Sequence, residues 1–141
     1  MCFREGMAWT CLGSTLAVYT GYYGYVLPRL ARGELSAEDG AAALVAAIVA
    51  QTVIGIAAGI VLARKLGKDH ADERDRAIAF AAERAAYYAL VSGVVCLALF
   101  GTLLGPPWQD PRAFCQVLLL CVVAAEAIRF GVQVFRYRRG A

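Results

Sequence analysis

The sequence predicts an all-α fold, a polytopic integral membrane four-helix bundle with both termini in the cytoplasm (N-in/C-in). Three observations predict it. Apolar residues make up 60% of the 141 residues. They gather into four stretches, about 7–27, 41–63, 85–104 and 113–134, each near the roughly 20 residues that a spanning helix needs. The charges lie almost wholly between and after these stretches, and they are lopsided. With four crossings, one side holds Arg4, Arg64, Lys65, Lys68, Arg74, Arg76, Arg84, Arg129, Arg136, Arg138 and Arg139, eleven basic residues, against Arg29, Arg32 and Arg112 on the other. The basic side of a multi-pass protein faces the cytoplasm. The expectation is one transmembrane domain over 1–141, multi-pass in the cell inner (cytoplasmic) membrane and surrounded by lipid.

The first helix is expected over 7–27. One Arg precedes it and it carries Thr10, Ser14 and Thr15, so it reads as a retained helix rather than a cleaved signal. It ends in Tyr19, Tyr22, Tyr23 and Tyr25 before Pro28, which puts amphipathic rings at the outer headgroup level. The outer loop 31–40 offers Ser36 as N-cap of the second helix, with Glu38 and Asp39 in its first turn. Helix two, 41–63, repeats small residues at a spacing of four: Ala43, Ala47, Gln51, Gly55 and Gly59. Small residues let backbones approach in lipid, so Ala47, Gln51, Gly55 and Gly59 read as a packing face. That face serves either one chain's own packing or a homodimer. A cytoplasmic loop, about 64–76, leads into helix three, 72–104. Pro106, Pro107 and Pro111 then break the chain into an outer turn with Trp108 as an interfacial anchor, and helix four follows over 113–134.

The densest polar run, Asp69 to Arg76, opens helix three. Acidic groups in a first turn complement the helix dipole, and Asp72 with Arg76 forms an i,i+4 pair. By periodicity Arg74 and Ile78 share one stripe and Asp72, Arg76 and Glu83 another. A two-sided helix start projecting into the cytoplasm follows, as a plain solvated helix end or as a partner-binding surface of Asp72, Glu73, Arg74, Arg76 and Ile78. Asp69, His70, Asp72 and Glu73 carry metal-type donors, but no second ligand group accompanies them, and neither a metal nor another cofactor is expected. Glu126 and Arg129 lie inside the fourth span, where charges turn toward a bundle interior or a cavity. With Glu83 and Arg84 they are expected to form a four-charge cluster, either structural or on a proton or solute path. Gln51 and Gln116 read as interhelix hydrogen-bonding groups. Cys2, Cys11, Cys96, Cys115 and Cys121 lack a Cys-x-x-Cys pattern and read as small buried hydrophobes.

Asp72-Glu73-Arg74-Asp75-Arg76-Ala77-Ile78, followed by Arg84 and Tyr87-Tyr88, resembles the Asp-Glu-Arg segment of a family of small bacterial and archaeal four-helix membrane proteins of unknown function. The resemblance implies the acidic-basic run just before the third span. It also implies a partner, because members often sit in operons beside small helix-turn-helix regulators. No His-Glu-x-x-His, phosphate-cradling glycine loop or catalytic triad spacing is present in the sequence. The chain is therefore expected to be a non-enzymatic regulatory or adaptor protein that engages a cytosolic partner, without binding nucleic acid directly. The alternative is a homodimeric small-solute or ion transporter or channel, using Gln51 and Glu126.

Overall fold

The computed structural model describes residues 3–66, 72–103 and 110–139. Asp69, His70, Lys68 and Trp108 lie outside the described residues. Four helices follow in order: α1 (Phe3–Ala31), α2 (Ala37–Leu66), α3 (Glu73–Leu103) and α4 (Pro111–Arg139). Each is longer than its apolar stretch. At 1.5 Å per residue a helix of 29 residues spans about 43 Å, longer than the roughly 30 Å of a hydrocarbon layer.

The helix ends obey local chemistry. Pro28 does not end α1 but sits inside its last turns, since losing one amide donor near a terminus is tolerable. The stop comes at Gly33, whose φ of 70° suits a residue without Cβ. There the Gly33 N–H donates to the Leu30 carbonyl at 3.0 Å and the Glu34 N–H to the Arg29 carbonyl at 2.9 Å. Ser36 caps α2 as the sequence predicts, its Oγ accepting the Asp39 N–H at 3.0 Å and donating to the Asp39 carboxylate at 2.7 Å. Asp110 caps α4 through the Arg112 N–H at 2.9 Å, and Pro111 takes the first helical position, where an N–H is dispensable.

The helices pack in the order α2, α1, α4, α3, with seams α1/α2, α1/α4 and α3/α4. Every seam is antiparallel. Along α3/α4 the matched levels are Asp75 with Tyr137, Glu83 with Arg129, Gly93 with Cys121 and Gly101 with Phe114. The helices α2 and α3 are edges, and their outer faces stay bare: Val49, Val53, Ile56, Phe80, Tyr87, Val95 and Leu99 are each at least half exposed.

Three helices, α2, α3 and α4, are long and apolar enough to cross a membrane; α1 is not. This corrects the expectation that all four stretches are apolar enough to span. The hydroxyls, glycines and tyrosines of α1 lower its hydropathy, and the fold places that helix in the middle of the packing order. Ser14, Thr15, Tyr22 and Tyr23 consequently meet protein, while Thr20 and Tyr25 stay exposed. Thr15 is 3% exposed.

Candidate functional site

Two glutamines hold the central helix. Gln51 Nε2 on α2 donates to Ser14 Oγ at 3.1 Å and Thr15 Oγ1 at 3.0 Å on α1. Its Oε1 is buried with no hydrogen-bond partner. On the other flank, Tyr22 donates to Gln116 Oε1 at 2.9 Å and Tyr23 to the Gln116 carbonyl at 3.1 Å. Tyr22 and Val26 also form a small core with Leu35 and Ala47. The tyrosine cluster thus reaches inward as well as outward.

The small-residue face of α2 is occupied unevenly. Ala47 is buried and Gln51 engages α1, but a Cβ placed on Gly55 would meet nothing within 4 Å, and one on Gly59 only Met7 Cε at 3.9 Å. The tight approaches lie elsewhere. A Cβ at Gly6 would stand 3.1 Å from Leu62 Cδ2, and one at Gly93 would stand 3.1 Å from Cys121 Sγ and 3.3 Å from Cys121 Cβ. The spacing of four in α2 registers small size but not depth.

Three of the four charges expected to cluster do so. Arg129 lies 3.7 Å from Glu83 and 3.4 Å from Glu126. Its Nε is buried without a hydrogen-bond partner. Arg84 stands apart, with its guanidinium 5.0 Å from the Phe80 ring centroid on the exposed face of α3. The residue four positions earlier captured it, because an aromatic face attracts a cation at helical spacing.

At the same end of the molecule lie the start of α1, the end of α2, the start of α3 and the end of α4. Here Asp75 joins three helices. Its carboxylate is 3.4 Å from Arg4 Nε on α1 and accepts from the Tyr137 hydroxyl on α4 at 3.0 Å. It also lies 3.4 Å from the Asp72 N–H, while Asp72 itself accepts the Glu73 N–H at 2.7 Å. Phe3, Arg4, Glu5, Asp72, Arg74, Asp75 and Tyr137 enclose a cleft of about 270 Å³. The start of α3 is accordingly a docked corner rather than a free projection. Asp72, Glu73, Arg74 and Arg76 are exposed on it, but Ile78 is 2% exposed and belongs to the core. That removes Ile78 from any surface this chain offers.

Arginines at this end lie on rings. Arg138 is 4.8 Å from the Trp9 ring centroid and Arg139 is 4.2 Å from that of Phe135. Asp75 and Tyr137 were not singled out by the sequence pattern. The usable signal was Asp72-x-x-Asp75, the spacing of a reciprocal cap.

Comparison with family models, with curated proteins and with solved structures gives no match. The likeness of 72–78 to an Asp-Glu-Arg family gains nothing from these comparisons, and function has to be read from the site itself.

Proposed function

We propose that the chain is a multi-pass protein of the cell inner membrane with both termini in the cytoplasm, a non-enzymatic adaptor that engages a cytosolic protein at its basic end. Membrane residence is supported by the uncovered helices: only 6% of the most apolar windows of α2 and α3, and 17% of that of α4, is buried by protein. Faces so apolar and so bare suit a lipid solvent. The central α1 crosses with them, because it meets α2 near Gly6 and Leu62 at one end and α4 near Tyr22 and Gln116 at the other. Once Gln51 and Gln116 satisfy its hydroxyls, α1 needs less hydropathy than its neighbours.

The observation that carries the adaptor reading is the corner built by Asp75. It fixes the exposed charges Asp72, Glu73, Arg74 and Arg76 relative to Arg4 and Tyr137, and a rigid mixed-charge surface selects partners by complementarity. A small helix-turn-helix regulator is the partner class that the resemblance implies. Two measurements test the reading. In a background without native cysteines, a membrane-impermeant thiol reagent applied from outside should modify Glu34→Cys and spare Glu73→Cys; the reverse pattern overturns the orientation. Charge reversal at Asp72 and Glu73 should then cut capture of a cytosolic protein at least tenfold, with membrane insertion unchanged. Identical capture by both forms removes the adaptor reading.

A homodimeric transporter is the second reading, and the unpartnered Gln51 Oε1 at mid-helix is the observation in its favour. Flux of small ions or solutes in sealed vesicles, lost in Gln51→Leu, would establish it.

A further inference from the structure

Between the start of α1 and the end of α2 runs a groove of about 570 Å³, lined by Phe3, Ile56, Gly59, Ile60, Ala63 and Arg64. Gly59 supplies its depth: with no side chain there, the floor is open down to Met7 Cε, 3.9 Å from where a Cβ would stand. Ile56 and Ile60 form its walls and are 59% and 50% exposed. The groove follows the axis of α2 from Ile56 to Arg64, about 12 Å. Over that length it is apolar. Arg64 lines its mouth, and Lys65 follows it in the last turn of α2. Among the described residues neither enters an ion pair. The N-terminal turn of α1, which carries Phe3, adds the partial positive charge of a helix start at the same level. The nearest acidic group of that turn, Glu5, lines the cleft toward Asp72 and Asp75 instead.

We propose that this groove seats one acyl chain of an anionic phospholipid, with the lipid phosphate held by Arg64 and Lys65. The inference rests on the reading of α2 as a spanning helix. Its argument is the alignment of chemistry along one axis: an apolar groove, read as lying within the membrane, then two adjacent cations with no ion pair among the described residues. A phospholipid has that polarity and length order. An anionic one gains the added attraction of each basic residue near the surface. Arg64 supplies a forked donor suited to phosphate, and Lys65 a mobile point charge beside it.

The test uses the full chain purified in detergent and offered equal amounts of dioleoyl phosphatidylglycerol and dioleoyl phosphatidylcholine. Bound lipid is then counted by native mass spectrometry. Wild type should retain phosphatidylglycerol in clear excess. Arg64→Gln should cut that preference roughly fivefold, about 1 kcal/mol for one basic group. Gly59→Leu, with helicity confirmed by circular dichroism, should fill the channel and lower retention of both lipids. Equal retention by wild type, or an unchanged preference in Arg64→Gln, overturns the proposal. So does a Gly59→Leu protein that loses a dimer peak and keeps its lipid, because the groove is then the seat of a second copy. Alkaline extraction of vesicles separates the two levels: release of the protein overturns the membrane reading itself, whereas an integral protein without lipid preference overturns this site alone.

Discussion

Arg129→Met should lower the stability of the detergent-solubilised protein by about 1 to 2 kcal/mol, less than the roughly 3 to 5 of a fully buried pair, because the side chains of Glu83 and Glu126 are 60% and 46% exposed. The guanidinium sits between Glu83 at 3.7 Å on α3 and Glu126 at 3.4 Å on its own helix, and its side chain is 36% exposed. Without it, two carboxylates that both approach the same guanidinium are left together, on the proposed reading within the membrane-spanning part of the bundle. Each is then a charge without a counter-charge. The expected remedy follows from the same argument: Glu83→Gln with Glu126→Gln, added to Arg129→Met, should restore most of the loss by leaving three neutral side chains. Arg84→Met provides the contrast. Its guanidinium rests on Phe80 at an exposed face, so removal should cost no more than about 0.5 kcal/mol. Thermal unfolding followed by circular dichroism measures all three. An Arg129→Met protein as stable as the parent would show that the cluster does not join α3 to α4. If, in addition, Glu126→Gln abolished a vesicle flux, the transport reading would replace the adaptor.

The same cluster marks how far the sequence could be read. Its existence was legible because Glu126 and Arg129 are expensive inside an apolar stretch, and because a short loop makes α3 and α4 antiparallel neighbours. Its membership was not. Glu83 and Arg84 are adjacent in sequence, and adjacent residues on a helix point about 100° apart. Only one of them can face α4. Phe80 decided the matter by stacking Arg84 on the outer side.

Helix number and order were legible from hydropathy, and Ser36 from its place before Glu38 and Asp39. The packing order was not. It depends on α1 lacking a stretch apolar enough to span, a property that argues weakly for membrane in isolation yet suits an interior position flanked by Gln51 and Gln116. Ile78 illustrates the same limit. Periodicity placed it on the stripe of Arg74, but periodicity cannot tell a stripe that meets a partner from one that meets α4. Asp75 was hidden for a different reason. Its role needs Arg4 and Tyr137, residues 71 and 62 positions away, and no local pattern announces contacts of that span.

The largest discrepancy concerns glycine, and it carries the second strong prediction. Gly55-Ile56-Ala57-Ala58-Gly59 has the spacing of a close-packing motif, yet the space over Gly55 is empty within 4 Å. Gly93 has no glycine four residues away and follows only Ala85 and Ala89 at that spacing, yet a Cβ there would stand 3.1 Å from Cys121 Sγ and 3.3 Å from its Cβ. Contacts that short require α4 to give by a few tenths of an ångström. Gly93→Leu should therefore wedge α3 from α4 and cost about 3 kcal/mol, the upper part of the usual range for overpacking. Cys121→Gly would remove both clashing atoms, so combining it with Gly93→Ala should recover most of the smaller loss from Gly93→Ala alone. Gly55→Leu should leave the stability of the single chain within about 0.5 kcal/mol. Helix content and unfolding temperature in detergent separate these cases. If Gly55→Leu proves the more damaging of the two, a second copy of the chain packs against α2, and the face of Ala47, Gln51, Gly55 and Gly59 becomes a dimer seam. If Gly93→Leu is the more damaging, the tight seam of this fold is α3 on α4, and α2 turns Gly55 toward lipid.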